Sequence, residues 1–119
     1  MFIPKRVLVV DDQQLAREGI HAFLRIIPEV EWVGEAVNGL DAIALVVDMR
    51  ADIVVMDVQM PVMNGIEATR RIKSEMPGVK VIILSGEGDY VGDALAAGAD
   101  AFLVKGGPPE FLKDALCSA

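Results

Sequence analysis

The spacing of apolar positions changes several times along the chain. Val7 to Val10, Ile53 to Met56 and Val79 to Leu84 are dense in Val, Ile, Leu and Met, and Ala101 to Val104 forms a shorter run. These runs do not alternate apolar with polar, so they predict strands buried on both faces. Glu31 to Ala36 alternates more and predicts a strand nearer a sheet edge. Between the strands the period becomes helical. Ala16, Ile20, Phe23, Leu24 and Ile27 fall on one face, with Arg17, Glu18, His21 and Arg25 on the other, and Pro28 ends the helix. Gly39 to Met49 forms a second helix after the Asn38-Gly39 turn signal. A third carries Gly65, Ala68, Thr69, Ile72 and Met76 and stops at Pro77-Gly78. Val91, Ala94, Leu95 and Gly98 mark a short fourth, and Phe111, Leu112, Ala115 and Leu116 a fifth.

Strand and helix therefore alternate five times, which predicts an α/β fold: a doubly wound (βα)5 domain with a five-stranded parallel sheet covered on both faces. With 119 residues the chain suits one domain spanning 1–119, with no second domain. Eighteen acidic residues against eleven basic ones give a formal charge of −7, which disfavours direct contact with nucleic acid or an anionic membrane. The longest apolar run, Ala42 to Val47, is six residues, against the ~20 a membrane span needs. A single cysteine, Cys117, excludes an internal disulfide and points to a reducing, cytoplasmic setting. A single histidine, His21, excludes a His/Cys zinc site.

Open α/β sheets bind ligands beyond the carboxyl ends of their strands. Here those ends carry Asp11-Asp12, Asp57, Ser85 and Lys105. Three carboxylates held together call for a hard divalent cation, and magnesium commonly shares such a site with a phosphate. A lysine and a hydroxyl can hold the remaining phosphoryl oxygens, and a carboxylate can serve as the nucleophile. Each residue alone has a plainer reading: Asp12 as a helix cap, Ser85 as a turn residue, Lys105 as a surface charge. Their joint placement on successive strand ends is what points to phosphoryl chemistry.

Val7-Leu8-Val9-Val10-Asp11-Asp12, Met56-Asp57-Val58-Gln59-Met60-Pro61 with Asn64-Gly65, Ile82-Ile83-Leu84-Ser85-Gly86 and Gly98-Ala99-Asp100-Ala101-Phe102-Leu103-Val104-Lys105 occur in this order. The set resembles the receiver domain of bacterial two-component response regulators. That resemblance implies the flavodoxin-like strand order 2-1-3-4-5, a rule illustrated by a member of this family. It implies that Asp57 accepts a phosphoryl group from a sensor histidine kinase. Asp11, Asp12, Asp57 and the backbone carbonyl of Gln59 would hold Mg2+. Ser85 and Lys105 would contact the phosphoryl oxygens, with Ser85 and Phe102 as the switch pair that alters the last two helices. Gln59 and Glu87 would stand near the path of attacking water.

Gly106-Gly107 replaces the proline that commonly follows the lysine. This departure, with the Asp11-Asp12-Gln13-Gln14-Leu15-Ala16-Arg17 opening, resembles the branch in which a helix-turn-helix DNA-binding domain follows the receiver. The resemblance implies a piece of a transcription factor that meets DNA only through an output domain absent from this chain, and it is compatible with a homodimer. The alternative is a stand-alone receiver working by protein contact. An aspartyl-phosphate phosphohydrolase would need an Asp-x-Asp motif after the first strand, where this chain has Asp11-Asp12-Gln13. A flavodoxin-like FMN carrier would need a phosphate loop where the two acids stand. The reading is thus of a phosphoacceptor switch rather than an enzyme. Among the other residues, His21 is expected in solvent, Trp32 in packing or on an edge surface, Met60 and Met63 in packing roles, Cys117 as a small apolar filler, and Tyr90 either at a partner surface or as a plain surface aromatic.

Overall fold

A computed structural model of the chain describes residues 4–86 and 88–118. The strands are β1 (Lys5–Val10), β2 (Val30–Ala36), β3 (Ile53–Met56), β4 (Lys80–Ser85) and β5 (Ala101–Val104). The helices are α1 (Gln14–Arg25), α2 (Gly39–Met49), α3 (Gly65–Glu75), α4 (Val91–Ala96) and α5 (Pro109–Cys117), with a 3-10 turn over Gly88–Tyr90 before α4. All strand pairs are parallel and the sheet order is β2-β1-β3-β4-β5.

Burial on both faces explains the unbroken apolar runs. Leu8, Val10, Val54, Met56, Val81 and Ile83 face a core shared with α2, α3 and α4. Val7, Val9, Ile53, Val55 and Ile82 face a second core with Leu24, Ile27, Leu112 and Leu116. The edges follow the same logic. β2 alternates because it has one neighbour. β5, expected to be buried on both faces, is the opposite edge, with Val104 half exposed and the other three residues partly covered.

Asn38 and Asn64 cap α2 and α3 by accepting from the backbone N–H of Asp41 and Glu67 at 2.8 and 2.9 Å. Helix α1 ends two residues before the expected Ile27, and Ile27 then packs into the core as the chain turns into Pro28.

Three side chains depart from the expected pattern. Arg17 and His21 are not on a free polar face. The Arg17 side chain is only 14% exposed, and its Nε donates to Glu35 of β2 at 3.1 Å. His21 Nδ1 lies 2.6 Å from the other Glu35 oxygen, so it fastens α1 to the edge strand instead of standing in solvent. Cys117 is exposed at the end of α5 rather than filling the core. Met60 and Met63 do pack against the first core, and Trp32 lies under the Arg6 guanidinium, 4.7 Å from its ring centroid.

The loop from β3 to α3 carries a backbone outlier. Val62 has φ +70° while its side chain is 76% exposed, a left-handed conformation that a β-branched residue adopts only under strain. Val62→Asn is expected to stabilise the fold by about 1 kcal/mol, read as a higher urea midpoint at unchanged slope; an unchanged midpoint would contradict the strain. The hydrogen bond from His21 is the main reason the Glu35 carboxyl sits below the usual carboxylate range, with Arg17 adding to it against partial burial. A depressed carboxyl stabilises the fold above its unfolded-state pKa, and the contribution disappears as pH falls through the folded-state value. Glu35→Gln is therefore expected to cost roughly 0.5 kcal/mol at neutral pH and nothing in acid below the carboxylate range, measured by urea unfolding across pH.

Candidate phosphoacceptor site

Two neighbouring strands deliver the acids. β1 ends at Val10 and β3 at Met56, paired in register, so Asp11 and Asp57 leave the sheet side by side. The Asp57 N–H donates to the Val10 carbonyl at 2.9 Å, extending the ladder one step beyond the strand. Asp11 is 1% exposed and Asp57 9%. Carboxylate oxygens of Asp11, Asp12 and Asp57 all lie within 4.8 Å of one another.

Lys105 follows β5, two places from β3 in the sheet, and its stem crosses that gap. Its ammonium lies 2.6 Å from Asp11 Oδ2 and 3.5 Å from Asp57 Oδ1. The Lys105 N–H donates to the Ser85 carbonyl at 2.7 Å, which fixes where the side chain starts. Ser85, 3% exposed, is the last residue of β4 and lies beside β5. Asp12, Gln13, Asp57, Gln59, Ser85, Gly86 and Lys105 line one cavity of about 460 Å³.

The electrostatics follow from this crowding. Burial pushes the Asp57 carboxyl above its ordinary value, the Asp11 charge pushes it further, and Lys105 offsets only part. Burial works against the Lys105 ammonium, yet its bond to Asp11 and the nearby Asp57 and Asp11 charges prevail and raise its pKa. The lysine is therefore a fixed cation, and the pocket remains short of positive charge. Three hard oxygen donors facing one ammonium fit a divalent cation of the magnesium type.

Neighbouring backbone holds the acids still. Asp11 Oδ1 accepts from the Gln13 N–H at 2.9 Å, and the Asp11 N–H donates to Ala36 of β2 at 3.2 Å. Asp12 is not the cap of α1; Gln13 takes that position. At Gly65 a Cβ would lie 1.8 Å from the Asp57 carbonyl oxygen, so only glycine lets α3 begin directly behind the phosphoacceptor candidate.

Asp12, Asp57, Ser85 and Lys105 are thus brought to one cavity, while Asp11 lies buried behind it, paired with the Lys105 ammonium. Phe102 lies outside it, partly buried against the core and paired with Ile83. Pairing of Ser85 with Val104 places Ser85 and Phe102 on one face of the sheet as diagonal neighbours. Glu87 lies outside the described residues. Two participants were not legible as such. Arg17 donates to the Asp11 carbonyl at 2.8 Å while bound to Glu35, which ties the acidic loop to β2. Tyr90 accepts a 2.7 Å hydrogen bond from the Gln59 side chain. Arg17 lies one turn into a helix whose apolar stripe it does not share, and the only hint was its closeness to Asp11-Asp12. Tyr90 gave no signal, because a short 3-10 turn sets its direction.

Residues 7–117 match the response regulator receiver domain family. The transcriptional regulatory protein LiaR of Bacillus subtilis (strain 168) is 37% identical over 116 residues, covering 96% of this chain and 55% of LiaR. The chain spans about half the length of the curated relatives it matches. A two-component response regulator of the LuxR family from Aurantimonas sp. SI85-9A1 superposes with a TM-score of 0.88 at 31% identity, over 95% of this chain and 82% of that one. The isolated REC domain of RcsB from Salmonella enterica serovar Typhimurium, solved in the presence of the phosphomimetic BeF3-, gives a TM-score of 0.86 at 25% identity, over 95% and 86%. Carrying the acid cluster at the carboxyl end of a 2-1-3-4-5 sheet, the chain belongs to the receiver domains of two-component response regulators.

Proposed function

We propose that this receiver accepts a phosphoryl group on Asp57 from a phosphohistidine of a sensor histidine kinase. The observation that carries the reading is the Asp57 carboxylate itself: nine-tenths buried, crowded by Asp11 and Asp12, within reach of Lys105, and lining an open cavity. In the transfer an Asp57 oxygen bonds to phosphorus as the phosphorus–nitrogen bond breaks, its electron pair returning to the imidazole. Asp11, Asp12, Asp57 and the Gln59 backbone carbonyl would hold Mg2+, which when bound offsets the charge of the carboxylates and of the phosphoryl oxygens. Lys105, already shared between Asp11 and Asp57, extends its contact to a phosphoryl oxygen, and the Ser85 hydroxyl donates to another.

Replacing a carboxylate by an acyl phosphate adds acceptor oxygens and about one negative charge. Ser85 moving toward them vacates space on the face it shares with Phe102, and Phe102 turning into that space changes the surface of α4 and α5. The output reading is transcriptional: the switched surface controls a helix-turn-helix DNA-binding domain of a longer cytoplasmic regulator. Names of relatives such as LiaR and the fraction of their length covered support it. The −7 formal charge of this chain disfavours direct DNA contact and so supports that division of labour.

Intact mass after incubation with Mg2+ and a small acyl-phosphate donor tests the site. The expected result is a gain of one phosphoryl group that disappears in Asp57→Asn and without metal. A gain that persists in Asp57→Asn, or none even with the cognate kinase, would overturn the assignment. Rapid repeated consumption of donor would favour a phosphohydrolase.

A further inference from the structure

The acid pocket shares a wall with a second cavity of about 700 Å³, which runs between α3 and the start of α4. Asp12 and Gln59 line both spaces, whereas Tyr90 lines only the outer one. Gln59 therefore stands at the boundary, and its Nε2 donates to the Tyr90 hydroxyl at 2.7 Å. The two partners differ in freedom. Gln59 is exposed on a loop, and its long side chain has many rotamers when unattached. Tyr90 is partly buried, packed against the core, and set by the turn over Gly88–Tyr90. The phenol is the fixed partner and the carboxamide the one it holds.

An acyl phosphate is lost when a water oxygen bonds to phosphorus. The bond from phosphorus to the Asp57 oxygen then breaks, its electron pair stays on the carboxylate, and a water proton passes to solvent as inorganic phosphate departs. Among the described residues, Val10, Val55 and Met56 close the back of Asp57, so water approaches it from the open side. Resting on the assignment of Asp57 as phosphoacceptor, we propose that Tyr90 is a positioning residue for this hydrolysis. Its hydroxyl holds the Gln59 carboxamide as a partition between outer cavity and acid pocket, limits water entry, and so lengthens the life of the phosphorylated state. Tyr90 acts through Gln59: it lines the outer cavity and not the acid pocket.

The test follows decay by intact mass after phosphorylation and removal of donor, for the wild type, Tyr90→Phe, Gln59→Ala and the double variant. Tyr90→Phe removes one hydroxyl and keeps the packing ring. It is expected to shorten the half-life about threefold to tenfold, the range for loss of one ordinary hydrogen bond. In the Gln59→Ala background the same change is expected to have no further effect, because the coupled partner is gone. The proposal is overturned if Tyr90→Phe decays at the wild-type rate or more slowly, or if it accelerates decay equally with Gln59→Ala in place. A wild-type chain that takes up no phosphoryl group would overturn the Asp57 assignment and this inference with it, an outcome distinct from normal uptake with unchanged decay.

Discussion

The site depends on an uncancelled repulsion. Asp11 and Asp57 emerge from adjacent strands largely buried, and Asp12 brings a third carboxylate within 4.8 Å. A single ammonium, Lys105, lies between two of them. Burial is the main reason Asp57 sits above its ordinary carboxylate value, and the Asp11 charge adds to it against Lys105. The folded protein therefore carries an unfavourable charge where a cation and a phosphoryl group are proposed to bind. Ligands that relieve that repulsion gain affinity from it, so the instability favours binding.

Much of the fold serves to keep these charges close. Parallel order places β1 beside β3 and puts β4 and β5 beyond, which gives the lysine its long reach. Two of the three acids are held by backbone: Asp57 through Val10, and Asp11 through Ala36 and Gln13. Gly65 lets α3 start against the Asp57 carbonyl, where any side chain would force the strand end to move. Arg17, partly buried between Glu35 and the Asp11 carbonyl, joins the acidic loop to the edge strand. The two cores on either face of the sheet make these positions costly to shift.

The fold was legible because parallel strands buried on both faces leave uninterrupted apolar runs, and Val7 to Val10 or Ile53 to Met56 admit few other readings. The strand-end residues were legible for the same reason, since each directly follows such a run. Strand order came from family resemblance, as periodicity says nothing about which strands are neighbours. β5 was misjudged as fully buried because Ala101 to Val104 is apolar despite lying at an edge. Arg17 and His21 were placed in solvent because a helical wheel shows only the face turned from the core, and Glu35 waits on a different element. Tyr90 was read only as a surface aromatic before α4, and its bond to Gln59 was not foreseen. Its partner Gln59 is 31 residues away, and the 3-10 turn that aims it has no hydrophobic period.

Thermal unfolding of the wild type and Asp57→Asn, with and without Mg2+ at neutral pH, addresses the repulsion most directly. Without metal, Asp57→Asn should melt higher than the wild type, because it removes a buried charge and nearly keeps the shape. Magnesium should then raise the wild-type transition and move the variant far less. A variant that melts at or below the wild type in metal-free buffer would mean that Lys105 already balances the cluster, contrary to this account.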